Sequence, residues 1–217
     1  MLSIKEQIAE ADRLAEQAAY DEALERYNGV MKEPRLRSDD FFQLSFKIGG
    51  ILTAGKRFAE ARDVYAAAIA KGKQLKKYQR VSELWHASAL NEVEAGCPDK
   101  AIEAFRNELD MSSSRNENYF FQLSTNYYEQ GNVFLSQGDA AESKLYFELA
   151  LAFAETDGIA VGEARALDGL ARYYVAVGDP VAAANAANTA LGLYNDAKDK
   201  GGAQRMRRQL KKLKETR

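Results

Sequence analysis

The chain has 217 residues, a formal net charge of −2, 46% hydrophobic and 29% charged residues, and three prolines. That balance excludes a disordered chain, allows a sizeable core, and gives no global attraction to nucleic acid or an anionic membrane. One cysteine, Cys97, and one histidine, His86, exclude an internal disulfide and the usual Cys/His zinc shell, so no metal or cofactor is expected.

Small, bulky and aliphatic residues recur at i, i+4 and i+8, one helical stripe, and divide the chain into helix pairs. The first pair is predicted over 2–33, with Ala11 in its first helix and Ala23, Tyr27 and Met31 in its second, before Pro34. The second covers 38–73, with Gly49, then Ala61, Tyr65 and Ile69, up to Lys71-Gly72-Lys73. The third covers 78–111, with Ala89, then Ala101, Phe105 and Leu109, and Ser112-Ser113-Ser114 marks its end. The fourth covers 116–156, with Gly131, then Ser143, Phe147 and Leu151, before Asp157-Gly158. The fifth covers 160–198, with Ala171, then the weaker Ala183, Ala187 and Leu191.

The small anchors of the second helices lie 38, 40, 42 and 40 residues apart, and each first-helix small residue stands 12 before its anchor, where two backbones must approach. Gly96, Gly138 and Gly178 sit five before their anchors, with Asp or Pro close behind, so glycine ends one helix and the next begins there. In this register the second repeat's glycine is displaced by one to Gly55, and Ala18 replaces it in the first. No strand pattern competes.

Residues 200–217 form a further predicted helix with Met206, Leu210 and Leu213 on one face. They hold eight basic residues and one acid, leaving 22 basic against 31 acidic groups in residues 1–199. A solvated cap on the stack is the simpler reading; an electrostatic hook for an acidic partner or nucleic acid is the other. No interleaved aromatics support base stacking, so nucleic acid is not the expected partner.

A small residue in the first helix, a glycine turn and Ala-x3-Tyr/Phe in the second resemble the tetratricopeptide repeat, and Trp85 matches that family's early first-helix aromatic. The resemblance covers about residues 5–195. Its units run near 40 residues against the common 34, as in bacterial peptide-pheromone receptors and some scaffold proteins. It implies an all-α fold, a right-handed superhelical solenoid of five hairpins over 1–199 with a basic capping helix over 200–217, treated as a single domain. It also implies a non-catalytic adaptor or scaffold that binds a protein or peptide in its concave groove. A peptide-responsive regulatory sensor and a self-assembling module, with a homodimer left open, are the alternatives.

In such a stack the first helices line the groove, and the register puts on that stripe Gln43, Phe46 and Gly50; His86 and Leu90; Thr125, Tyr128 and Asn132; Arg165, Asp168 and Arg172. Phe46, His86 and Tyr128 would clasp an apolar side chain, while Asn132, Arg165 and Arg172 hold backbone or carboxylate groups; the other reading packs the aromatics between neighbouring helices. The family's two-carboxylate clamp for chaperone tails is missing, because Tyr128 precedes Asn132 and Ile51 follows Lys47 at the required spacing.

Gly50 to Lys56 imitates a phosphate-binding loop, but Arg57 stands where Ser or Thr would hold magnesium, and no strand precedes it. His86 has no nucleophile or orienting group beside it in sequence, so no catalytic residue is expected. Phe-Phe-Gln-Leu-Ser occurs at 41–45 and again at 120–124, three residues out of the repeat register. Met1–Glu6 lacks the apolar core of a secretory signal and no segment reaches a membrane span, so a cytoplasmic protein is expected.

Overall fold

In a computed structural model of the chain, residues 3–114 and 116–215 are described. Leu2, at the start of the first predicted pair, and Thr216 and Arg217, at the end of the basic segment, lie outside the described residues.

Among the described residues there are eleven α-helices and no strand. They are α1 (Ile4–Glu16), α2 (Tyr20–Met31), α3 (Ser38–Ala54), α4 (Phe58–Gln74), α5 (Tyr78–Glu94), α6 (Pro98–Met111), α7 (Tyr119–Gln137), α8 (Ala140–Asp157), α9 (Ala160–Ala176), α10 (Pro180–Asp196) and α11 (Lys200–Glu215). Successive helices pack as hairpins, and the chain divides into two compact units, Met1–Met111 and Ser112–Arg217. The first holds three hairpins, α1 to α6; the second holds two, α7 to α10, and α11.

The hairpin geometry follows from the recurring residues. The anchors Ala23, Ala61, Ala101, Ser143 and Ala183 are all fully buried, and so are Ala11, Ala89 and Ala171 on the first helices. Where glycine takes that position, an aromatic ring of the second helix fills the missing side chain's space. A Cβ on Gly49 would lie 2.4 Å from the Tyr65 ring, and one on Gly131 would lie 2.7 Å from Phe147. Phe147 is also closed from the α9 side, where a Cβ on Gly169 would approach it to 2.4 Å. Each of these rings therefore sits against bare backbone, where burying an aromatic side chain contributes on the order of 1.5–3 kcal/mol.

The turns share one construction. The residue five before each anchor is left-handed in all five hairpins: Ala18, Lys56, Gly96, Gly138 and Gly178, with φ between 59° and 78°. Gly55 is not the turn residue, because its φ is −79°; Lys56 at φ 59° keeps the register. The displaced glycine expected from sequence is thus corrected: lysine takes the strained position and the spacing is unchanged. Each turn is closed by paired backbone bonds, such as Cys97 N to Glu92 O and Gly96 N to Val93 O at 2.9 and 3.0 Å, which satisfy carbonyls at the helix end.

In the first unit the core joins Tyr27, Phe42, Leu44, Ile48, Tyr65 and Leu84, with Trp85 packed at its edge. In the second unit, Tyr194, Met206 and a row of alanines on α9 and α10 form a core that α11 completes. Of the repeated pentapeptides, Leu44 and Ser45 in α3 and Leu123 and Ser124 in α7 are all buried, but Phe42 is buried and Phe121 only half-buried.

Candidate functional site

The first-helix stripe falls in both units, and each part is described by itself. In the first unit, Gln43 is exposed on α3 and Phe46, one turn later, is half-buried. Phe46 lines a cavity of about 430 Å³ with Asp12, Glu16, Tyr27, Lys47 and Gly50. Asp12 accepts hydrogen bonds from the Tyr27 hydroxyl and from Lys47, both at 2.5 Å. Partial burial works to raise the Asp12 pKa, but the bonds from Lys47 and Tyr27 outweigh it and hold the carboxyl below its usual range. Burial, with Asp12 alongside, pushes the Tyr27 hydroxyl well up.

His86 is partly buried on α5, with Nδ1 2.9 Å from a carboxylate oxygen of Glu108 on α6 and its ring edge-on to Phe105. The pair ties the two helices of the third hairpin together. Sequence reasoning missed Glu108, which is 22 residues away and buried on the opposite helix. Leu90 is exposed one turn beyond His86. Gly50 lies inside α3 and Gly55 caps it, so the phosphate-loop spacing falls on a helix and its end.

The second unit brings more of the stripe together. On α7, Thr125, Tyr128 and Asn132 are half-buried; on α9, Arg165 and Arg172 are half-buried and Asp168 is buried. Arg172 Nη2 donates to Asn132 Oδ1 at 2.8 Å and to the Tyr128 hydroxyl at 3.2 Å, while its Nε lies 3.4 Å from Asp168. The Arg165 guanidinium stands 5.0 Å from the centre of the Tyr128 ring and reaches Glu129 at 3.3 Å. Tyr128 is therefore held between two guanidinium groups, one over its face and one on its hydroxyl. Asn132 is fixed from both ends, since its amide nitrogen donates to Glu129 at 3.1 Å.

From α11, Arg205 approaches the second carboxylate oxygen of Asp168 at 3.6 Å and the Tyr194 hydroxyl at 3.4 Å. Burial, aided by the nearby Asp168, pushes that hydroxyl up to about 12, so it stays protonated at neutral pH. The result is a preorganised cluster of one aromatic ring, one carboxamide and several partly exposed guanidinium groups. Such groups pair with carboxylates and backbone carbonyls.

These features belong to a recognised architecture. Over 94% of its length the chain superposes on a signal transduction ATPase with numerous domains from Pyrococcus horikoshii, a protein with a tetratricopeptide repeat sensor, at TM-score 0.76 and 13% identity. A putative kinesin light chain of nearly identical TPR-like repeats from Podosopora anserina matches over 91% of this chain and 97% of its own, at TM-score 0.70 and 16% identity. RapI in its apo form matches over 90% of this chain, at TM-score 0.74 and 13% identity. The fold is that of the tetratricopeptide repeat.

The chain spans 31% of the Pyrococcus protein and 54% of RapI. No protein-family model matches the sequence, and no curated protein does. As a tetratricopeptide-repeat fold, the chain carries its first-helix stripe on α1, α3, α5, α7 and α9. Extending that register one repeat towards the amino end reaches Asp12, which sequence reasoning passed over although it follows Ala11 as Asn132 follows Gly131. Among the described residues no His, Cys, Asp and Glu cluster could hold a metal ion, and no helix is long and apolar enough to cross a membrane.

Proposed function

We propose that the protein is a non-catalytic binding module that holds a peptide or protein segment on its first-helix face. The observation that carries this reading is Tyr128 between Arg165 and Arg172, with Asn132 fixed beside it. The side chains are held by contacts within the unit, so little side-chain entropy would be lost on binding and the ordering cost falls on the ligand. An extended segment would lay an apolar or aromatic side chain on Tyr128 and direct carbonyl or carboxylate oxygens to the guanidinium groups. A second reading, a regulatory sensor, is supported by the superposition on a protein whose repeats are a sensor. It differs in expecting a ligand-dependent change of shape in solution.

The test is selection of a displayed random-peptide library on the native protein, followed by affinity measurements on the Arg165→Ala/Arg172→Ala variant, with circular dichroism confirming that the variant is folded. Enriched peptides are expected to bind the variant at least about 10-fold more weakly, a loss of about 1.4 kcal/mol. Equal affinity for the two proteins would show that the ligand sits elsewhere.

A further inference from the structure

The stripe does not stop at α9. Adding 40 to Arg165, Asp168 and Arg172 gives Arg205, Arg208 and Lys212 on α11, and the same step takes Gly162 to Gly202. The packing follows the numbers. A Cβ on Gly162 would lie 3.2 Å from Ala154 at the end of α8, and one on Gly202 would lie 2.4 Å from Tyr194 at the end of α10. The turn before each helix also repeats, with Gly158 and Lys198 both left-handed. So α11 meets α10 as α9 meets α8, in the register of a sixth first helix, and its inner stripe is wholly cationic. The face opposite α10 departs from the register: Gln204, Arg208 and Lys211 are exposed where Ala164, Asp168 and Ala171 are buried.

Between α9 and α11 lies a cavity of about 400 Å³, lined by Arg172, Arg205, Arg208, Lys212, Val175 and Leu213. Four cations line it, and Asp168 reaches two of them, Arg172 and Arg205. Val175 is 48% exposed, so the cavity also offers an uncovered aliphatic surface. Resting on the peptide-binding reading above, we infer that this cavity is a subsite for an acidic segment of a partner protein, taking a Glu or Asp carboxylate beside an aliphatic side chain. The carboxylate relieves repulsion among the cations and pairs with guanidinium forks, while the aliphatic neighbour covers Val175 and Leu213. A nucleic acid fits less well, because the cavity has no aromatic residue for base stacking and residues 1–199 carry a balance of −9.

The experiment records amide chemical-shift changes in the full chain on titration with an acetylated, amidated hexapeptide alternating glutamate and leucine. Parallel titrations use the same peptide with glutamine for glutamate, and a twelve-residue oligothymidylate. The glutamate peptide is expected to shift residues 172–176 and 205–213, more weakly as salt is raised, with the glutamine peptide at least about 10-fold weaker. Charge reversal by Arg208→Glu/Lys212→Glu, two exposed residues, is expected to abolish those shifts, and the neutral Arg208→Gln/Lys212→Gln to reduce them. Equal response to the glutamine peptide, undiminished binding by the charge-reversed chain, or silence of α11 would overturn the subsite. Shifts confined to the neighbourhood of Thr125, Tyr128 and Arg165 would overturn it while leaving the first-helix reading standing. A response of α11 to the oligonucleotide alone would replace it with nucleic-acid binding.

Discussion

Gly202 and Gly192 differ in nothing but their surroundings. Both lie in helices, but a Cβ on Gly202 would stand 2.4 Å from the buried Tyr194 ring, whereas one on Gly192 would meet nothing within 4 Å. Tyr194 is fully buried and cannot swing out without opening the core of its unit. Gly202→Ala is therefore expected to destabilise the protein by about 1–3 kcal/mol, and Gly192→Ala to stabilise it by roughly 0.5–1 kcal/mol through helix propensity. Urea unfolding of the two variants checks both signs; equal effects would mean that the α10–α11 contact is not a close one. At this scale the sequence was informative about which positions are small, since Gly49 and Gly131 stand in register, but silent about which ring each one meets. Glu108 beside His86 shows the same limit: their meeting depends on how α5 and α6 pack, and no local pattern carries that information.

The helix stack depends on its turns, and three of them, one within a hairpin and two that follow one, place lysine where glycine would relax the backbone. Lys56, Lys76 and Lys198 have φ between 55° and 59°, a conformation that an L side chain disfavours. Replacing Lys56 or Lys76 with glycine is expected to raise stability by about 0.5–1 kcal/mol each, after allowing for glycine's extra freedom in the unfolded chain. Thermal melts of the single variants test this, and a fall in midpoint at both would mean that the lysine side chains stabilise the turns in a way the backbone does not reveal. The element scale was the most legible in the sequence, because helix pairing follows from period and punctuation. Even there Gly55 misled: glycine attracts a turn assignment, yet the spacing to Ala61 decided which residue became left-handed.

Each of the two compact units contains its own buried residues, the first around Tyr27, Phe42 and Tyr65 and the second around Phe147, Tyr194 and Met206. Residues 1–111 and 112–217, made separately, are therefore each expected to show helical circular dichroism and a cooperative melt. A fragment that stays unfolded would show that its core is incomplete without the other.

The all-α class, the helix pairs and their order were available from the sequence, since a period near 3.6 and a repeat near 40 residues are local properties that every copy restates. The stripe could be named by the same arithmetic, residue by residue. Tertiary packing alone decided what those residues do to one another: that Arg172 reaches Asn132 and Tyr128 across 40 and 44 residues, that Asp168 serves arginines from two helices, and that a cationic cavity opens between α9 and α11. Those meetings depend on the distance and rotation between helices, and these are set by side-chain volumes at buried contacts, not by the period that makes each helix.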